Sequence, residues 1–219
     1  HRDLHSFPTL RSSDLEMAEF SSILLENAVE SLSKLPGIGK KTALRLALHL
    51  LNEDTLETEQ LADSLLKMKH NIMLCERSYN ISDTKVCSIC SNPRRDENTL
   101  CVVADMRDVL AIERTASYNG LYHVLGGVIS PIEGISPHDL KIAQLVQRTQ
   151  KEDIKEIILA LPATIEGDTT NFYIFRQLND FQGKISVISK GIAVGDALEF
   201  VDEVTLGRSI QNRIPFNQK

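Results

Sequence analysis

Long apolar runs are missing from these 219 residues. None approaches the ~20 residues that a membrane-spanning helix needs, so no membrane partner is expected. An excess of positive charge is missing too. The net charge is −6, with 24 Lys and Arg against 30 Asp and Glu. Any DNA contact must therefore come from a local basic patch rather than from the overall field. Cysteine is sparse: there are four, three of them between positions 75 and 90. That is too few for a secreted disulfide framework. The clustering points to a metal in a reducing compartment, and hence to a cytoplasmic protein. No internal repeat is present. What remains is an ordinary globular composition, 42% hydrophobic and 25% charged, long enough to bury a core without disulfides. For the chain as a whole, a disordered tail, a collagen-like fibre and a disulfide mini-scaffold are excluded.

Residues 1–16, HRDLHSFPTLRSSDLE, show no apolar period and no apolar export core. They read as a non-native or disordered tail, with the natural start at Met17. From 20 to 51, Ile23, Leu24, Ala28, Leu32 and Leu35 recur at helical spacing. Leu35-Pro36-Gly37-Ile38-Gly39 makes a turn, and 42–51 is a second helix with Leu44, Leu48 and Leu51 on one face. A third helix is predicted over 57–69. Residues 70–98 are polar and turn-rich. From 99 onward the apolar runs LCVVA, YHVLGG, EIILAL and KISVIS alternate with helical stretches near 108–117, 137–150 and 169–179. This alternation predicts a mainly parallel sheet covered by helices. The tail 191–219 has no clear period beyond a strand candidate at 198–201.

The turn Leu35–Lys41 is not a phosphate-binding Walker loop, because Lys34 and Lys41 stand where Gly and Ser or Thr are needed. Two readings stand beside each other: a plain helix–turn–helix packing unit, and a helix–hairpin–helix that grips DNA backbone. Gly37 and Gly39 let the hairpin turn tightly and expose N–H groups at a helix start, where the dipole favours phosphate. Lys34, Lys40, Lys41 and Arg45 surround them, and Lys41 and Arg45 share a helix face. Such a site reads phosphate, not sequence.

Cys87-Ser88-Ile89-Cys90 is a CxxC knuckle, with Cys75 twelve residues upstream. Three thiolates are one short of a structural zinc site. Ser78 completes the spacing C-x2-[C]-x8-C-x2-C but is a poor zinc ligand. His70, Asp83, Cys101 or water are the other candidates, although Cys101 reads as buried core. A coincidental or redox CxxC is the alternative. Further on, Glu166 and Asp168 lie two apart just past a strand, where two acids can share a Mg²⁺. A solvated loop explains the same spacing. Ala104 and then Asp105 follow the first strand, and Asp105, Asp108 and Glu113 read as helix-start and surface charges. No nucleophilic triad can be assembled, and His123 lies in a strand.

Taken in order, LSKLPGIGKKTALRLALHLL, the Cys loop, CVVADMRDVLAIERT, YHVLGGVISPIEGISPHDL, ATIEGDTTNFYI and VDEVTLGRSIQNR resemble the RecR family of bacterial recombination mediators. The likeness runs from about Leu24 to Pro215; LGGVISPIEGISPHDL and TLGRSI are its most specific parts. It implies a mixed α+β and α/β chain in several parts. After the 1–16 tail, these are a helix–hairpin–helix DNA-binding region over 17–70 and a small zinc finger over 71–97. A Toprim-like, mainly parallel domain over 98–190 and a C-terminal extension over 191–219 follow. The resemblance implies ring-like homo-oligomers, dimeric or tetrameric, that clamp single- or double-stranded DNA without sequence preference. With RecO, and in some settings RecF, they help load RecA at single-stranded gaps, in the nucleoid. It implies no enzymatic turnover. It matches Lys41 and Arg45 to the family's DNA-contacting hairpin residues, which with the hairpin reading makes Gly37, Gly39, Lys40, Lys41 and Arg45 the expected DNA site, and it places zinc at Cys75, the position of Ser78, Cys87 and Cys90. Two departures stand out. Ser78 replaces a zinc Cys, which predicts weakened zinc. Ala104 replaces the Toprim Glu, so Mg²⁺ at Glu166 and Asp168 would not be catalytic. The alternative class is a Toprim-type Mg²⁺-dependent nuclease or primase, and a third is a zinc-dependent interaction module without DNA binding.

Overall fold

The structure is a computed structural model and describes residues 22–189, 191–192 and 195–212. The expectation for residues 1–16 and Met17 lies outside them. The chain divides after His70 into two compact units.

The first unit is helical. α1 (Ile23–Ser33) opens on Ser22, whose side chain accepts from the Leu25 N–H, filling one of the four donors a helix start leaves open. α2 (Lys40–Asn52) and α3 (Thr55–Asn71) follow. The core differs from the predicted stripe. Val29, Ala43 and Ala47 are buried, with Leu25, Leu32, Ile38 and Leu44 against them. Ile23, Leu24, Leu35, Leu48 and Leu51, read as the inward face, are exposed, and so is Ala28. The physical reason is size. Two alanines four apart let α1 and α2 approach closely, and the bulkier leucines are left on the flanks. The two glycines between the helices differ in role. Gly37 takes φ 79°, which only glycine adopts without strain. Gly39 is the extended cap of α2 and brings no side-chain acceptor.

The second unit opens with a two-stranded antiparallel ribbon, β1 (Met73–Leu74) against β2 (Ile81–Ser82). The α/β part runs β3 (Asp96–Val103), α4 (Met106–Arg114), β4 (Gly120–Val124), α5 (Ile142–Lys151), β5 (Glu156–Ala160), α6 (Ile165–Gln177) and β6 (Lys184–Val187). The sheet order is β4-β3-β5-β6, parallel throughout. Alternation along β3 explains why both faces are covered. Leu100 and Val102 pack with Leu145 of α5 and Ile174 of α6. Cys101 and Val103 point the other way, among Val109 of α4, Tyr122 and Val124. Helix starts come earlier than predicted for α4 and α6, and later for α5.

Two expectations for the tail fail. Residues 198–201 do not form a strand; Leu198–Phe200 is a short 3-10 turn. The stretch without a period contains α7 (Glu203–Gln211), capped by Asp202, whose side chain accepts from the Thr205 N–H. None of its residues is buried, so no core imposed an apolar period on it.

Candidate nucleic-acid interface and metal centre

The hairpin places its basic residues at the start of α2. The first N–H groups of that helix have no intrahelical acceptor, and Gly39 supplies no cap. Gly37, Gly39, Lys40, Lys41 and Arg45 are all exposed. Lys41 and Arg45, one turn apart, border a shallow hollow of about 360 Å³ with Thr42, Leu44 and Leu48. Lys34 is the exception in this cluster, since its Nζ lies 3.8 Å from Glu30. Among the described residues, no carboxylate is paired with Lys40, Lys41 or Arg45. Free cations beside free N–H groups form a surface that accepts phosphate oxygens.

The Cys-bearing loop folds so that Cys75, Cys87 and Cys90 are buried with their sulfurs all within 4.8 Å of one another. Three sulfurs that close can share one ion, and thiolates are the donors zinc prefers. Among the described residues the cluster holds neither Asp83 nor Cys101; Cys101 is core, as read. Ser78 is drawn in instead, its Oγ 3.5 Å from Cys87 Sγ. Burial alone would raise the Cys75 thiol. The Ser78 hydroxyl and the backbone N–H groups of Cys87, Ser78 and Arg77 outweigh it and bring the pKa down to about 6. Cys90 is pushed up to about 12 by burial, reinforced by the neighbouring Cys87 and Cys75 sulfurs. This donor set fits a zinc ion that would pin the loop.

Arg77, which sequence reasoning missed, ties the loop to the sheet. Its guanidinium donates to Glu152 at 3.0 and 3.2 Å, to Glu97 at 3.0 Å and to the Cys90 carbonyl at 3.3 Å. Glu152 also accepts from the buried Arg148 at 3.0 Å, and Arg148 donates to the Tyr122 carbonyl at 2.7 Å. The loop's own backbone joins in, because the Val124 N–H donates to the Ser78 carbonyl at 2.8 Å. The only hint in the sequence was an Arg set between two ligand positions.

The acidic positions are placed differently from the prediction. Glu166 and Asp168 are not in a loop; they lie in the first turn of α6, behind the cap Thr164. Gly167 stands between them because a Cβ there would sit 2.0 Å from the Pro162 carbonyl oxygen. Asp168 Oδ2 faces Arg208 of α7 at 3.9 Å. At the carboxyl edge of the sheet is a crevice of about 670 Å³ lined by Asp108, Ile112, Pro162, Ile188, Thr205 and Arg208, among others. Ala104, at the end of β3, is buried and offers no carboxylate. Asp105 and Asp108 cap α4 reciprocally. Glu113 is more than a surface charge: it pairs with Arg95 and accepts from the Tyr122 hydroxyl at 2.6 Å.

A helical hairpin, a thiol knuckle loop and a parallel α/β sheet with two acids beyond β5 are the arrangement of a Toprim-containing protein. Family comparisons agree part by part. Residues 25–69 match the helix-hairpin-helix model of RecR, 98–189 the Toprim domain, and 191–214 the RecR C-terminal model. The chain is 57% identical over 198 residues to Recombination protein RecR of Bacteroides thetaiotaomicron, covering 90% of this chain and 97% of the relative. It is 56% identical over 200 residues to that of Flavobacterium johnsoniae, covering 91% and 97%. To that of Porphyromonas gingivalis it is 55% identical over 199 residues, covering 91% and 96%. The chain belongs to the RecR family of recombination proteins. Among the described residues, no helix is long and apolar enough to cross a membrane.

Proposed function

We propose that this chain is a DNA-binding recombination mediator without turnover of its own, acting with RecO, and in some settings RecF, to help load RecA at single-stranded gaps in the bacterial nucleoid. The observation that carries the DNA part is that Lys40, Lys41 and Arg45, beside the uncapped start of α2, have no carboxylate partner among the described residues. Gly37 and Gly39 shape that surface. It favours single- and double-stranded DNA alike, because only the backbone is read. Zinc at Cys75, Cys87 and Cys90 has a structural role. Mg²⁺ at Glu166 and Asp168 is noncatalytic, since metal-assisted chemistry also needs a group to activate the nucleophile, and Ala104 cannot be one. A homo-oligomer, dimer or tetrameric ring, is supported by the apolar side chains left exposed on α2 and α3.

The experiment is a titration of DNA binding against salt. Lys41→Ala with Arg45→Ala is expected to weaken binding and to flatten the slope of log K by about 1.8 for duplex DNA, two phosphate contacts' worth. An unchanged affinity and slope would move the DNA site elsewhere. Mg²⁺-dependent DNA cleavage by the unchanged protein, lost in Asp168→Ala, would replace the mediator with an enzyme.

A further inference from the structure

We propose, building on the zinc reading above, that Ser78 Oγ is the fourth ligand of the metal, giving three thiolates and one hydroxyl. The backbone carries this first. The loop holds two knuckles of the same build, Cys75 to Ser78 and Cys87 to Cys90, each with two residues between the ligand positions. In the first, the Tyr79 N–H donates to the Cys75 carbonyl at 2.9 Å; in the second, the Ser91 N–H donates to the Cys87 carbonyl at 3.0 Å. Each bond ties the residue after the second position back to the first. Ser78 thus holds in its knuckle the place that Cys90 holds in the other. Tyr79 reaches this turn at φ 59°, a left-handed conformation that a side chain disfavours and that persists only where the surroundings demand it.

The side chain completes the case. Ser78 is 1% exposed, and its Oγ lies 3.5 Å from Cys87 Sγ. Cys87 Sγ in turn lies within 4.8 Å of the Cys75 and Cys90 sulfurs. The oxygen therefore borders the cluster of three sulfurs. The Asn80 N–H donates to it at 3.4 Å, as the Cys87 N–H donates to Cys75 Sγ at 3.3 Å. Such outer hydrogen bonds orient a ligand atom, and a hydroxyl oxygen that accepts one N–H keeps a second lone pair for a cation. Three thiolates and a neutral hydroxyl leave the zinc complex with one formal negative charge, where four thiolates leave two. The hydroxyl is the weaker donor to this borderline-soft ion, so the metal is held and yet exchanges more readily.

The test uses the full-length chain loaded with zinc and, separately, with cobalt. Zinc-edge X-ray absorption is expected to fit three sulfurs at ~2.3 Å and one oxygen at ~2.0–2.2 Å. Ser78→Cys should shift the cobalt visible bands to longer wavelength and add thiolate charge-transfer intensity. In competition with a chromogenic chelator, Ser78→Cys should bind zinc roughly tenfold tighter or more, and Ser78→Ala roughly tenfold more weakly. Circular dichroism of the loaded variants checks the fold, and the Ser78→Cys arm stands even where Ser78→Ala unfolds. Ser78→Ala with unchanged affinity and cobalt spectrum would assign the oxygen to water and overturn the proposal while leaving the zinc site in place. Four sulfurs around zinc in the unchanged chain would overturn it too. Zinc bound by neither the unchanged chain nor Ser78→Cys would sink the zinc reading itself.

Discussion

His123 sits wholly buried in β4, its Nε2 donating to the Lys141 carbonyl at 2.8 Å. Burial disfavours the imidazolium and lowers its pKa to about 4. An unfolded chain protonates the same ring near 6.5, so between the two values the folded state binds fewer protons. The ring therefore costs nothing above pH ~6.5, and the fold loses stability as the pH falls from there toward 4. The full loss amounts to roughly 3 kcal/mol. Urea unfolding at pH 7 and pH 5 should show a drop in midpoint that His123→Phe reduces. An identical drop in the variant would place the acid sensitivity in other groups. His123 was legible as a strand residue, but its burial was not. That depends on α5 and the loop before it covering the edge strand, and no local pattern encodes that cover.

Among the elements, the strands were the most legible. LCVVA, EIILAL and KISVIS are short, β-branched and bounded by turns, and each became a strand of the parallel sheet. The apolar faces of α1 and α2 were misread because Ala43 and Ala47 carry little hydrophobic weight yet set the helix spacing. α7 was missed although Asp202 and Glu203 are ordinary helix-start residues; Gly207 and its exposure hid it. The start of α6 was hidden by Gly167, a poor helix former kept by close packing on Pro162. Gly167→Ala is expected to push the first turn of α6 outward and cost about 1–3 kcal/mol. Thermal unfolding checks it; a melting point within a degree of the unchanged protein would mean that the turn yields freely. Of the candidate sites, the knuckle spacing was the clearest from the sequence, because four positions at fixed offsets survive folding as neighbours. The Arg77–Glu152–Arg148 chain was the least legible, joining residues 75 positions apart.

At the scale of the molecule, α3 contributes no buried residue, while Leu56, Leu61, Leu65, Leu66 and Met68 lie open along it. So much apolar surface on one helix favours association. Native mass spectrometry is expected to find multiples of 24.5 kDa, and a monomer at micromolar concentration would remove the ring from the proposed function. In the second unit, the bond from the Val124 N–H to the Ser78 carbonyl makes the metal loop a neighbour of the edge strand β4. It gives the sheet a clock. Deuterium uptake at the Val124 amide should be slow while the loop is pinned and quicken once a chelator strips the metal, whereas the Leu125 amide, held by Val103 within the sheet at 3.0 Å, keeps its pace. One backbone proton would then time the release of an ion it never touches.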